Sequence, residues 1–125
     1  MAVIVDSSVL IDSLGGQKPL LLLRAMTDGT LFVPPLVVAE VLSGDTTSEQ
    51  REELFDLLQD YTVFGTTLEH WMNVGQLRRT LRFKGVNVTL PDAHVAQCAL
   101  DLDATLLTRD EIFANIAGHT ALRLR

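Results

Sequence analysis

Short, wholly apolar runs alternate along this chain with stretches of helical periodicity, and no other feature restricts the fold as much. Ala2-Val3-Ile4-Val5 and Ala104-Thr105-Leu106-Leu107 have no polar face. A strand of that kind must be buried on both sides, as in the interior of a parallel sheet. Thr30–Val33 and Tyr61–Phe64 are further strand candidates, and Thr120–Leu124 reads as a final edge strand. Helical patterns lie between them. Strands alternating with helices predict an α/β fold, a parallel sheet of about four to five strands covered by helices on both faces. At 125 residues the chain is expected to form a single domain spanning residues 1–125.

The helix boundaries are written in turn chemistry. Asp6-Ser7-Ser8 supplies capping groups for a short helix through Val9 and Ile11, ending near Gly15-Gly16. Pro19 suits the first turn of a helix carrying Leu20 to Met26 and ending near Gly29. Pro34-Pro35 starts a helix over Leu36–Leu42, closed by Gly44. Thr47-x-x-Gln50 and Thr66-x-x-Glu69 read as capping boxes, the second for a helix running to about Phe83. Gly85–Thr89 is loop, Pro91 opens a helix carrying Ala93, Ala96, Ala99 and Leu100, and Arg109–Ile116 is a helix before the last strand.

Charge and cysteine count exclude several classes. The net charge of −6 argues against a protein that coats nucleic acid through bulk electrostatics, without excluding a local site. Between Gln76 and Leu90 lie four bases, Arg78, Arg79, Arg82 and Lys84, and no acid, whereas Asp45 to Asp60 is strongly acidic. The single cysteine, Cys98, forms no internal disulfide and fits a reducing, cytoplasmic setting. The N-terminus lacks the basic region of a signal peptide, and the Leu20–Leu23 run is too short to span a bilayer.

Four acids need explaining. Asp6 and Asp110 follow buried strands, at the sheet edge where α/β folds bind ligands. Glu40 sits in Leu36-Val37-Val38-Ala39-Glu40-Val41-Leu42, an otherwise apolar helix, where an ionised carboxylate needs a partner. Asp92 follows Pro91 at the start of an Ala-rich helix, with Ala96, Ala99 and Leu100 on its face, which places it at the rim of the core. Each acid alone is explained by helix capping or by the helix dipole. Together they crowd several carboxylates at one sheet end with few bases (Lys18, Arg24, Arg109), and crowded carboxylates repel unless a cation joins them. All-oxygen ligation suits Mg²⁺ or Mn²⁺, the usual apparatus of phosphodiester hydrolysis.

Asp6-Ser7-Ser8-Val9-Leu10-Ile11-Asp12, the isolated Glu40, Leu90-Pro91-Asp92-Ala93-His94-Val95-Ala96 and Leu106-Leu107-Thr108-Arg109-Asp110-Glu111-Ile112-Phe113 together resemble, in order, the four motif blocks of PIN-domain ribonucleases. Their order and the chain length most resemble the VapC toxins of bacterial toxin–antitoxin pairs. The resemblance implies a PIN-like fold and a Mg²⁺- or Mn²⁺-dependent endoribonuclease. Its metal-binding and catalytic acids map onto Asp6, Glu40, Asp92 and Asp110, with supporting hydroxyls at Ser8 and Thr108. It further implies an RNA substrate, a small cognate antitoxin and a homodimer. The apolar early helices support an interface only weakly. The basic stretch Arg78, Arg79, Arg82 and Lys84 is the candidate RNA-binding rim. Asp45 to Val88 matches no block and leaves the substrate open.

Other readings fit less well. A haloacid-dehalogenase-like phosphatase needs an acid where Ser8 stands, a phospho-receiver needs a late lysine that is absent, and a Rossmann domain needs a Gly-rich first turn. The serious alternative is a non-enzymatic α/β interaction module whose acids are helix caps. His94 lies two residues from Asp92 and so points away from it, read here as a surface or partner-facing histidine. His70 and His119 have no zinc spacing, Cys98 is expected in the core, and Trp71 and Met72 are expected to serve packing.

Overall fold

The computed structural model describes residues 1–60, 62–63 and 65–125. Among them the order is β1 (Val3–Val5), α1 (Ser7–Leu14), α2 (Leu20–Asp28), β2 (Leu31–Val33), α3 (Pro35–Ser43), α4 (Ser48–Asp60), β3 (Thr62–Val63), α5 (Leu68–Phe83), α6 (Leu90–Asp101), β4 (Thr105–Leu107), α7 (Ile112–Ala117) and β5 (Arg123–Leu124). The strands form one sheet in the order β3-β2-β1-β4-β5, and every pairing is parallel. This is the α/β architecture the alternation predicts. Tyr61 and Phe64, the ends of the third predicted strand, lie outside the described residues.

Strand order reverses at β1, whose neighbours are β2 on one side and β4 on the other. A crevice opens beyond the carboxyl ends of the strands at such a point, because the crossover helices leave on opposite faces. The register places Val5 beside Leu107, so Asp6 and Thr108 leave the sheet level with each other. The Asp6 N–H donates to the Leu107 carbonyl at 3.1 Å, pinning the two strand ends together.

The core explains which helices can approach this edge. All three residues of β1 and of β4 are buried, as is half of α6 (Ala93, His94, Val95, Ala96, Cys98 and Ala99). Small side chains let α6 lie close to the sheet while packing against α3, α5 and α7. Helix α3 also packs on α1, which brings Glu40 to the same sheet end. Gly29 ends α2 in the left-handed conformation (φ 70°), and its one N–H donates back to the Ala25 and Met26 carbonyls.

Three boundaries differ from the sequence reading. Thr67, not Thr66, caps α5, accepting from the His70 N–H at 3.2 Å, while the Thr66 hydroxyl accepts from the Trp71 indole at 3.2 Å. Helix α7 begins at Ile112 instead of Arg109, because the Asp110 carboxylate captures the Ile112 N–H at 3.1 Å in a local turn. The last strand is only Arg123–Leu124. The Thr47 and Gln50 capping box forms as expected, with reciprocal bonds of 2.9 and 3.1 Å.

Candidate functional site

Asp6 is the most firmly held of the four acids. Only 4 % exposed, it caps α1 by accepting from the Val9 N–H at 3.3 Å. The capping reading is therefore correct for this residue, and incomplete. Asp6 Oδ1 also accepts from the Ser8 hydroxyl at 2.6 Å, and Oδ2 accepts from the Thr108 hydroxyl at 2.5 Å. A carboxylate offers about four lone-pair positions. These bonds use both on Oδ1 and one on Oδ2, leaving the last on Oδ2 for another ligand. Ser8 and Thr108 are held in turn, accepting from the Arg109 N–H at 3.1 Å and the Asp110 N–H at 3.0 Å. One hydroxyl, Thr108, thus connects Asp6 to the backbone of Asp110.

Glu40 and Asp92 interact electrostatically with this anchor, and Asp110 with Asp92. Among the described residues no three of the four acids bring carboxylate oxygens within 4.8 Å of one another. Glu40 is exposed on α3 and not enclosed by its apolar neighbours, because Val37 and Val41 occupy the buried side of that helix. Its carboxyl is nevertheless shifted upward from the ordinary value of 4.5, first by partial burial and then by the charges of Asp92 and Asp6. Asp92, half-buried at the rim as its helical pattern predicts, is also shifted upward. Desolvation is the main cause, the Thr89 hydroxyl opposes it, and Asp110 and Asp6 reinforce it. Thr89 rather than Asp92 supplies the cap of α6. The acids therefore feel one another across four separate elements. No Lys or Arg pairs with any of them among the described residues. Arg109, the nearest candidate, is held by Asp12 at 3.0 Å. An all-oxygen donor set that repels itself and lacks a protein cation fits Mg²⁺ or Mn²⁺.

The upward shifts carry a pH signature. In the folded metal-free protein Glu40 and Asp92 hold protons that the unfolded chain releases, so their contribution worsens as pH rises from the ordinary carboxylate range of about 4. His94 acts in the opposite sense. Burial, then His70, lowers it to about 4, so stability is lost as pH falls from 6.5 toward that value. A difference measurement separates the two. In EDTA, the melting temperature of Glu40→Gln minus that of wild type is expected to grow from pH 4 to pH 7, and saturating Mg²⁺ to cancel the growth.

The basic stretch is more divided than its sequence suggests. The Arg78 Nε donates to the Val88 carbonyl at 2.8 Å, which ties Arg78 to the loop leading into α6 and Asp92. Arg82 lies one turn on, along the same side of α5. Arg79 instead lies over the Phe83 ring at 5.1 Å, and Lys84 ends the helix.

The histidine reading is corrected. His94 points away from Asp92, as two residues of helix require, but the opposite side of α6 is not surface. It faces α5, and His94 is fully buried there. His70 Nε2 lies 2.8 Å from His94 Nδ1, and Cys98, a core residue as expected, joins them. Spacing in sequence could not reveal this, because α5 contributes His70 from 24 residues away. Trp71 stacks on His94 with centroids 4.6 Å apart while remaining 43 % exposed, and Met72 is 63 % exposed, so the stripe serves packing only in part.

A family model described as the PIN domain matches residues 3–119. The chain belongs to the PIN-domain family. Solved structures share the fold of this PIN domain over its whole length. VapBC from Salmonella typhimurium bound to DNA aligns with a TM-score of 0.82 at 17% identity, covering 100% of this chain and 97% of that one. VapBC2 from Rickettsia felis, bound to a fragment of its promoter, aligns with a TM-score of 0.81 at 20% identity, covering 100% and 98%. VapBC-5 from Mycobacterium tuberculosis aligns with a TM-score of 0.69 at 20% identity, covering 99% and 98%. A search of curated proteins finds no match. No helix among the described residues is long and apolar enough to cross a membrane.

Proposed function

We propose that this PIN domain is a divalent-metal-dependent endoribonuclease, acting in the cytoplasm as the toxin of a type II toxin–antitoxin pair. The observation that carries the reading is the anchoring of Asp6 at the sheet's reversal point. Two hydroxyls and an N–H orient its carboxylate, and Glu40 and Asp92 interact electrostatically with it, and Asp92 with Asp110, with no Lys or Arg paired to any of them among the described residues. The alternative interaction module accounts for Asp6 as a cap and for Asp110 in its turn. It gives no reason for Glu40, which caps nothing, to be electrostatically joined to Asp92 and Asp6.

Asp6, Glu40 and Asp92 are the ligands we assign, with Asp110 holding a second ion or a water. Mg²⁺ or Mn²⁺ supplies Lewis acidity, making water acidic and offsetting charge that develops on the phosphate. The protein's own part is positional. Ser8 and Thr108 fix the Asp6 carboxylate, and the Asp110 backbone is held to Thr108. Hydrolysis by in-line attack leaves a 5′-phosphate and a 3′-hydroxyl. Purified protein is expected to cleave total tRNA or rRNA when Mn²⁺ is added and to stop in EDTA. Absence of cleavage of both RNA pools in Mn²⁺ contradicts the reading.

RNA must approach an acidic crevice, so binding needs a basic rim, and Arg78, Arg79, Arg82 and Lys84 provide the nearest run of positive charge. Changing Arg78, Arg79 and Arg82 together to Ala is expected to weaken RNA binding and to lower the slope of log K against log salt by up to about 2, at roughly 0.7 for each lost single-strand phosphate contact. Mn²⁺ affinity is expected to stay unchanged. An unaltered slope, measured by fluorescence anisotropy, assigns these residues to a solvated face. Exposed Leu20 and Leu23 on α2, and exposed Leu68 and Met72 on α5, support two partner surfaces, for a second copy and for an antitoxin. The similar solved structures are VapBC complexes, which supports an antitoxin as one of the partners.

A further inference from the structure

Between α5 and α6, away from the acids, lies a buried group of different chemistry. His70 Nε2, His94 Nδ1 and Cys98 Sγ all lie within 4.8 Å of one another. His70 Nε2 and His94 Nδ1 are 2.8 Å apart, and the thiol sulfur is 3.9 Å from each of them. The remaining ring nitrogen of His70 is held by Asp101, with Nδ1 to Oδ2 at 2.7 Å. We propose that His70, His94 and Cys98 form a second metal site, selective for a borderline-soft ion such as Zn²⁺, with Asp101 orienting His70 from behind.

Three features carry the proposal. The first is spacing. Zinc takes nitrogen at about 2.0–2.1 Å and sulfur at about 2.3 Å, so a tetrahedral centre needs donor pairs about 3.3 Å (N to N) and about 3.6 Å (N to S) apart. The observed pairs differ from these by about 0.5 Å or less, within the reach of small side-chain rotations. The second is the carboxylate behind the histidine. Metal-binding histidines commonly donate their other N–H to a carboxylate, which fixes the tautomer and aims the free nitrogen at the ion. The third is donor softness. Two imidazoles and a thiolate suit Zn²⁺ and not Mg²⁺, whereas an all-oxygen set accepts Mg²⁺, so saturating Mg²⁺ can occupy the acid site and leave this one open.

The metal-free arrangement is a relay of shared protons. Asp101 accepts from His70 Nδ1–H, and His70 Nε2 then accepts from His94 Nδ1–H. The thiol of Cys98 lies 3.7 Å from the last nitrogen, His94 Nε2. This thiol is buried, and a buried thiol carries its proton when no ion is present. On zinc entry the S–H bond breaks, the proton leaves to solvent and a Zn–S bond forms. His94 moves its proton from Nδ1 to Nε2, and Nδ1 becomes a ligand. One proton is released for each ion bound, and the fourth position takes water. A cleft of about 300 Å³, lined by Gly65, Thr67, Glu69, His70, Asn73 and Asp101, reaches the Asp101–His70 pair from outside. The bound ion staples α5 to α6, the helix that carries Asp92.

Co²⁺ tests the site, because a thiolate ligand gives it a charge-transfer absorption that carboxylates cannot. Trp71, the only tryptophan in the chain, stacks on His94 and reports the ion through quenching. Wild-type protein in saturating Mg²⁺ is incubated with Co²⁺ when folded, and a second sample is refolded with it. One equivalent is expected to produce the charge-transfer band and quench Trp71. Zn²⁺ is expected to displace the ion and, at a hundred times its Kd, to raise the melting temperature by about 10 °C. Cys98→Ser is expected to lose the band. Asp101→Asn keeps all three donors and is expected to weaken Zn²⁺ binding by about 10–100-fold, which provides the test should the serine variant not fold. No thiolate band in either wild-type sample, or an identical spectrum from Cys98→Ser, overturns the proposal. Neither result bears on RNA cleavage, which the Mn²⁺ assay reads separately.

Discussion

Asp92→Asn is expected to melt above wild type in EDTA while losing RNA cleavage by more than about a hundredfold. The substitution keeps the shape of the side chain and removes one charge from a group that raises the protonation equilibria of Glu40 and, through Asp110 and Asp6, of Asp92 itself. Relief of that repulsion stabilises the metal-free fold. The same charge is a ligand in the assignment made above. Outer-shell partners of a metal are worth about 10–100-fold, and a direct ligand is worth at least as much. The Mn²⁺-induced rise in melting temperature is expected to shrink in the variant. If Asp92 served only the helix dipole, the sign reverses: losing a first-turn charge costs up to about 1 kcal/mol, and wild type is indifferent to Mn²⁺. Thermal melts with EDTA and with Mn²⁺ separate the two outcomes.

The second large effect is expected at a residue that need not touch the ion. Thr108→Val removes the donor to Asp6 Oδ2 and the acceptor for the Asp110 N–H, two bonds made by one hydroxyl. The methyl group that replaces it fills the same volume. Mn²⁺ affinity is expected to fall about 10–100-fold, because the carboxylate loses its orientation, and stability to fall by about 1–3 kcal/mol. Ser8→Ala is expected to do less. Asp6 Oδ1 keeps the Val9 N–H when the Ser8 hydroxyl is gone, so that oxygen retains a partner. Calorimetric Mn²⁺ titrations and denaturant melts of the two variants check the order. Equal effects contradict the arrangement described here.

What the sequence revealed, and what it hid, divides along the distance over which each feature is decided. The β1 and β4 runs are apolar on both faces, and this local pattern alone places them in a parallel sheet with Asp6 and Thr108 at its edge. The candidate acids stand out in the sequence for the same reason, since Asp6 and Asp110 follow those strands and Glu40 interrupts an apolar helix. Boundaries failed where side chains competed for backbone. Asp110 takes the Ile112 N–H and delays α7, and adjacent threonines at 66 and 67 offer two caps where only one is used. His94 shows the deeper limit. Helical rotation gave its direction relative to Asp92 correctly, but which neighbour waits on the other side depends on how α5 packs, and no spacing rule encodes that. The zinc-like cluster was invisible in the sequence because His70 joins His94 and Cys98 only through tertiary packing.

In the proposed function, Asp6, Glu40, Asp92 and Asp110 act together on divalent cations. Calorimetric titration of Mn²⁺ into wild type and into Asp6→Asn, Glu40→Gln, Asp92→Asn and Asp110→Asn tests it most directly. The predicted result is saturable binding to wild type, with each of Asp6→Asn, Glu40→Gln and Asp92→Asn weakened at least about tenfold and Asp110→Asn altered in affinity or in the number of ions bound. Wild type that takes up no Mn²⁺, or variants that all bind it as wild type does, contradicts the claim.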